Sequence, residues 1–362
     1  MSVYWNNRIK NLSPYIPGEQ PGDRKFIKLN TNENPYPPSP KAIKAIQEAA
    51  NENLRLYPDP GCTELREAVA SRYGVKPEQV FAGNGSDEVL AFAFGAFFQG
   101  PILFPDITYS FYPVYAGLWD ISYNTIPLDE NFCINTADYK IPCGGVVFPN
   151  PNAPTGMILP LDDILSLAEY LEKQENVFIL DEAYVAFASG AQSAVPHIND
   201  HPNILVVHTL SKSASLAGLR AGFAIGNEKL IDGLCRMRDS FNSYTLDRLA
   251  LKGAAAAVSD STYYDEINRR VIATRERVAE ALRRLGFTVL PSAANFVFIK
   301  MPGIGGADFF SALRKRGILV RHFNKERIAD FLRVSIGTDR EMDVFLDACR
   351  EILGTRGIGN GD

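Results

Sequence analysis

Apolar and polar positions along the chain follow two rhythms that trade places from one stretch to the next. The short runs QVFAG, PILFP, ISYNTIPL, GGVVFPN, NVFILDEAY, ILVVHTLS and AGFAIG predict strands. Several are apolar throughout, which suits strands buried on both faces of a mainly parallel, seven-stranded sheet. Between them, DEVLAFAFGAFF and LDDILSLAEYLEKQ carry apolar residues at helical spacing. Upstream, KAIKAIQEAANEN and CTELREAVASRYG predict two more helices, the second with Leu65, Val69 and Tyr73 in register and Gly74 as its C-cap. Strands alternating with helices argue for an α/β unit with right-handed crossovers.

Residues 228–285 read as mostly helical, and Asp265 to Leu285 is long and charge-laced enough to bridge two units. The tail offers strands FTVLP, NFVFIKM, ILVRHF and FLRVSIGT with helices FFSALRKRG and DVFLDACREIL, a smaller α+β unit. The terminal GTRGIGNGD is expected to fray. Residues 1–40 are rich in Pro, Asn and Gly and predict an extended arm held by contacts made elsewhere. The expected division is an arm over 1–45 that joins the small unit, a large unit over 46–262 and a small unit over 263–362.

The chain has 362 residues, 46% apolar and 22% charged, with a net charge of −5 from 37 basic and 42 acidic side chains. It can bury a large core, and no run of Lys or Arg supports nucleic-acid or anionic-membrane binding. Five scattered cysteines without a C-x-x-C pair suggest free thiols in a reducing compartment, and so the cytoplasm. The start lacks an apolar signal-peptide region, and the apolar run Val89 to Phe98 is far short of the ~20 residues that span a bilayer. No metal site is expected: His197 and His201 are spaced like ligands, but prolines flank both, so they are read as loop residues.

The chemistry concentrates in four segments. In HTLSKSASLAGLRAGF, Lys212 follows an apolar strand, with Ser211 before it and Arg220 eight residues on. An amine held free of protons can condense with an aldehyde cofactor, and hydroxyls beside an arginine can hold a phosphate. In NVFILDEAY, a strand delivers Asp181 to its carboxyl end, where open α/β sheets bind ligands. A buried carboxylate there needs a cation, and a protonated pyridine nitrogen is one. A metal or Walker-type acid is the other reading, weakened by the lack of a G-x-x-x-x-G-K-[ST] loop. AGNGSDEVLAF runs a strand through a Gly-rich turn into a helix whose free N–H groups suit a phosphate, although an ordinary capped helix start reads the same. FPNPNAPTG by itself says only that the chain turns.

Taken in order, G-x-G-S-D-E, P-N-x-P-T-G, D-E-A-Y, S-K and G-L-R-x-G resemble the fold-type-I aminotransferases that use pyridoxal 5′-phosphate (PLP), over roughly residues 10–350. The resemblance implies that Lys212 forms the Schiff base with the cofactor and then moves the proton, that Asp181 pairs with the ring nitrogen, and that Tyr184 contacts the phenolic oxygen. It places Ser86, Asp87, Ser211 and Arg220 around the phosphate and stacks Tyr109 on the ring. It sends Tyr57 to the phosphate of a neighbouring subunit, so that a homodimer is implied. The family's asparagine before P-T-G is replaced by Ala153. Asn152 is expected to take its place through a shifted turn, the alternative being that Tyr184 makes the contact alone.

The arm LSPYIPGEQP and KLNTNENPYPPSP resembles the histidinol-phosphate aminotransferase branch, which implies Tyr15 and Asn32 at the substrate end and Arg321 with Arg333 on a substrate phosphate. Two guanidiniums suit a dianion better than a carboxylate. The implied reaction is reversible transamination of histidinol phosphate with 2-oxoglutarate. Aromatic transamination, threonine-phosphate decarboxylation and a non-catalytic effector module stand as alternatives. The last is disfavoured by the lack of an appended DNA-binding domain, and a nicotinamide dehydrogenase by the missing third glycine.

Overall fold

The computed structural model describes residues 2–20, 26–190 and 192–357. The arm is not wholly extended: it contains a short helix α1 (Asn7–Asn11) and a strand β1 (Ile27–Lys28). The Asn6 side chain caps α1 by accepting from the Ile9 N–H, a local signal that outweighs the missing periodicity.

Helices α2 (Pro40–Ala49) and α3 (Thr63–Tyr73) follow, the latter closed by Gly74 in the left-handed region as predicted. Next come β2 (Val80–Gly83), α4 (Gly85–Phe97), β3 (Ile102–Pro105), α5 (Tyr112–Trp119), β4 (Tyr123–Ile126), β5 (Val146–Pro149), α6 (Leu161–Glu172), β6 (Phe178–Asp181), β7 (Ile204–Thr209) and β8 (Gly222–Gly226). All seven predicted strands join one sheet in the order β2-β8-β7-β6-β5-β3-β4. Only β8 runs antiparallel to its neighbours.

The all-apolar runs are explained by burial on two sides. Phe178, Leu180, Ile204 and Val206 enter a core with α3, α6 and α8 (Arg248–Ser259). Ile179, Leu205 and Val207 enter a second core with α4, α5 and α7 (Glu228–Phe241). Helix α9 (Ser261–Arg284) then leads to β9 (Thr288–Val289), β10 (Phe296–Lys300), α10 (Gly306–Lys315), β11 (Ile318–Leu319), β12 (Arg321–His322), β13 (Phe331–Ser335) and α11 (Asp339–Gly357). The last five residues of the stretch expected to fray, 358–362, lie outside the described residues, and the helix itself runs through Gly357.

One predicted strand is divided. ILVRHF breaks at Val320 into β11, which pairs with β1 of the arm, and β12, which pairs with β13 in the order β12-β13-β10-β9. The reason is partnership: the arm claims the first half and the small sheet the second. A third core lies around this sheet, α9, α10 and α11. Among the described residues, no helix is long and apolar enough to cross a membrane.

Candidate active site

Strands β2, β3, β5, β6 and β7 present their carboxyl ends to one edge of the large sheet, and antiparallel β8 begins there. Ligands of open α/β sheets bind at this edge. A cavity of about 320 Å³ occupies it, roofed by the arm and by the small sheet. Of the residues singled out in the sequence, all but Asn152 and Tyr57 line it.

Lys212 lies three residues beyond the end of β7, and its Nζ donates to the Thr31 carbonyl at 2.9 Å. Loss of solvation, reinforced by the Arg333 charge, brings its amine down to about 8. Asp181 ends β6 and is buried; Oδ1 accepts from the Ala183 N–H at 3.1 Å and Oδ2 from the Tyr112 hydroxyl at 3.2 Å. Burial outweighs these bonds and pushes the carboxyl up to about 6. A cation placed against Asp181 reverses that shift.

A second group surrounds the start of α4, whose N-cap Asn84 makes no side-chain cap, so the first N–H groups at Ser86 and Asp87 stay available. Arg220 donates to Asp87 Oδ2 at 2.8 Å and reaches Ser211 Oγ at 3.5 Å. Its backbone is left-handed (φ 53°), a conformation that tertiary contacts must hold in a non-glycine residue. Two glycines make this corner possible. A Cβ on Gly85 would stand 2.8 Å from Arg220 Nη2, and one on Gly222 would stand 2.5 Å from the Ser86 nitrogen. Tyr109 donates to Asp87 Oδ1 at 2.8 Å, which anchors its ring in the cavity wall.

The opposite end carries the arginines. Arg321 and Arg333 are direct cross-strand partners on β12 and β13. Like charges so placed repel, and among the described residues no carboxylate pairs with either. Both guanidiniums pack on the Phe323 ring, each at 5.6 Å, and Arg333 also lies 5.4 Å from Phe296. Arg333 Nη2 donates to the Asn30 carbonyl at 3.0 Å, while its buried Nε has no partner among the described residues. From the arm, Tyr15 stacks on Phe111 at 4.2 Å and closes the cavity.

Two expectations need separate comment. Asn152 does not reach the cavity. Its oxygen accepts from Thr108 at 3.1 Å, and its nitrogen donates to the Ile107 carbonyl and to Thr155 Oγ1, both at 3.0 Å. The shifted-turn expectation therefore gives way: the amide is consumed by Thr155 of its own turn and by Ile107 and Thr108 of the segment after β3, and Ala153 is the residue that lines the wall. Tyr57 is 78% exposed and stacks on Tyr244, away from the cavity of its own chain. Sequence reasoning missed Tyr112 beneath Asp181 and Phe323 between the arginines.

A strand-end carboxylate, a desolvated lysine and an anion corner at a helix start define a fold-type-I PLP enzyme. Residues 24–349 match the family model for aminotransferase class I and II, and the chain belongs to that family. Its relatives place it in the histidinol-phosphate aminotransferase branch. It is 53% identical over 355 residues to the histidinol-phosphate aminotransferase of Clostridium acetobutylicum, covering 98% of this chain and 100% of that protein. It is 52% identical over 359 residues to that of Aromatoleum aromaticum, with 98% and 100% covered. The fold superposes with a TM-score of 0.85 on the histidinol-phosphate aminotransferase of Sinorhizobium meliloti in complex with pyridoxal 5′-phosphate, at 24% identity over 97% of this chain and 99% of that one.

The residues fit that cofactor. The acid at 181, pushed up chiefly by burial, suits a protonated ring nitrogen, and the uncapped start of α4 faces Ser211 and Arg220 as a phosphate corner.

Proposed function

We propose that the chain transfers the amino group of L-histidinol phosphate to 2-oxoglutarate, giving imidazole-acetol phosphate and glutamate, in histidine biosynthesis. Bound PLP supplies the aldehyde that takes up the amino group and the cationic ring that draws electrons from the carbon losing it. The chain's own residues supply the rest. Asp181 holds the ring nitrogen protonated, with Tyr112 and the Ala183 N–H fixing the carboxylate. Ser211, Arg220 and the N–H groups at Ser86 and Asp87 hold the cofactor phosphate. Tyr109 packs on the ring face and Tyr184 faces its oxygen. Lys212 Nζ takes the proton from the carbon bearing the substrate's amino group and returns it on the far side of the transferred nitrogen. Tyr15 lies at the substrate end, whereas the Asn32 side chain, expected there too, bonds Tyr184 and Ser335 instead.

The division into an arm over 1–45, a large unit over 46–262 and a small unit over 263–362 belongs to this reading. Pairing of β1 with β11 supports the arm as part of the small unit. A homodimer in the cytoplasm completes it. The exposed Tyr57, with Leu54, Leu56 and Phe241 also exposed, supports a partner subunit whose phosphate corner Tyr57 reaches. Five free cysteines suit a reducing compartment.

The substrate assignment rests on the arginine pair: two uncompensated guanidiniums opposite each other on adjacent strands call for a dianion. The test compares kcat/KM for histidinol phosphate, phenylalanine and threonine phosphate, in the wild type and in Arg333→Ala. Histidinol phosphate is expected to lead in the wild type. Arg333→Ala should lower its kcat/KM by about 30- to 200-fold, the range for a lost charge-assisted contact of about 2–3 kcal/mol, while the visible spectrum of the bound cofactor stays intact. A wild type that prefers phenylalanine, or that releases carbon dioxide from threonine phosphate, moves the assignment elsewhere.

The lysine gives a pH prediction. Only the unprotonated Nζ can condense with the aldehyde, so the rate at which cofactor-free protein takes up PLP should rise about tenfold per pH unit below 8 and flatten above it. Growth of the visible absorption band measures this. A rate still climbing toward the ordinary lysine value of 10.5 contradicts the environment described for Lys212.

A further inference from the structure

Ala153 leaves the cofactor's ring-oxygen end without the amide found elsewhere in the family, and Asn152 is turned away. Yet one buried amide does reach that end by way of Tyr184. Asn32 Nδ2 donates to Tyr184 Oη at 2.9 Å. Ser335 Oγ, on β13, donates to Asn32 Oδ1 at 2.8 Å and accepts from the Asn32 N–H at 2.8 Å. The Asn295 side chain donates to the Asn32 carbonyl at 2.9 Å. Asn32 is 1% exposed, Ser335 3% and Asn295 0%. Asn32 also holds a left-handed backbone (φ 57°), which persists in a non-glycine residue only where the surroundings over-determine it.

We propose that Asn32 is a positioning residue that makes up for Ala153: anchored by Ser335, it donates to Tyr184 Oη and so turns the phenol's own proton toward the cofactor oxygen. The chemistry follows from donor and acceptor counting. A phenol oxygen that accepts from an amide keeps its O–H free to donate elsewhere, and the cavity is where that oxygen opens. Burial pushes the Tyr184 hydroxyl up from its ordinary range, so it stays protonated and remains a donor. The device joins three parts of the chain, the arm, the β6 end and β13, so the arm is built into the cofactor site and does more than cover it.

This inference rests on the PLP reading and is tested apart from turnover. A donor on the cofactor oxygen stabilises the form that has lost its proton, which lowers the pH midpoint at which the bound cofactor's visible absorption changes. Asn32→Gly keeps the positive φ and deletes the amide. Asn32→Asp keeps the shape and replaces the donor by an acceptor. Each is expected to raise the midpoint by about one pH unit, and Ser335→Ala by less in the same direction. Tyr184→Phe raises it too, and adding Asn32→Gly to Tyr184→Phe moves it no further, because the amide acts through the phenol.

An additive further rise in the double variant overturns the proposal, as does a midpoint that neither Asn32→Gly nor Asn32→Asp moves. Should Asn32→Gly lose the cofactor, Ser335→Ala decides instead: an unmoved midpoint there overturns the proposal. A wild-type protein with no borohydride-bleachable visible band would instead count against the PLP reading itself, so the two failures look different.

Discussion

With Lys212 replaced by alanine, the protein is expected to stay folded and to lose transamination by at least about 10²–10⁴-fold, the range for removal of one positioned proton-transfer group. The fold should survive because Nζ makes a single hydrogen bond, to the Thr31 carbonyl, and the side chain holds no core together. Removing a poorly solvated cation costs little. Activity should fall that far because, among the described residues, Lys212 is the only lysine that lines the cavity. Borohydride supplies the sharper readout: treated wild type keeps its cofactor through denaturation, whereas treated Lys212→Ala releases it. Cofactor fixed to another lysine in the variant would remove the foundation of the site as described.

Much of this was legible from sequence wherever the signal was local. Most strands of the large sheet were readable because both faces are covered there, so that runs such as ILVV of β7 are apolar at every position, whereas the edge strand β4 is largely exposed. Lys212 and Asp181 were readable because one stands just beyond a strand end and the other at one, where a buried charge has no structural reason to stand. What escaped was non-local. ILVRHF has no Gly or Pro to interrupt it, and only the pairing of Ile318–Leu319 with the distant arm divides it from Arg321–His322. Asn152 stands one residue from the family's position, but its amide is satisfied by Thr155 in its own turn and by Thr108, 44 positions away, a competition invisible before folding. The contact that does approach the ring-oxygen end joins Asn32 to Tyr184 across 152 positions. Tyr112 and Phe323 escaped for a different reason: in a chain with 22 Phe and 15 Tyr, an aromatic that holds a carboxylate or spaces two guanidiniums looks like any other.

Asp181→Asn should have the next largest effect, and it isolates charge from shape. Asparagine can keep the Ala183 N–H contact and fill the same volume, so folding and cofactor uptake are expected to persist. It cannot keep a ring nitrogen cationic. Burial pushes Asp181 up to about 6, which means the pocket disfavours an isolated negative charge. With a pyridinium opposite, the sign reverses: each charge holds the other, the carboxyl falls below its isolated value, and the pair resists both loss of the ring proton and protonation of the acid. Breaking it by neutralising one partner leaves the ring to shed its proton and with it the capacity to draw electrons. Loss of one such preorganised electrostatic group typically costs about 10²–10³ in kcat, and here the loss should fall on kcat, since the arginines proposed to hold the substrate phosphate lie at the other end of the cavity. A PLP analogue methylated at the ring nitrogen, cationic whatever stands at 181, should restore part of the rate in Asp181→Asn and none in Lys212→Ala. Restoration in neither variant, with the analogue bound in both, would mean that the carboxylate acts through something other than the ring's charge.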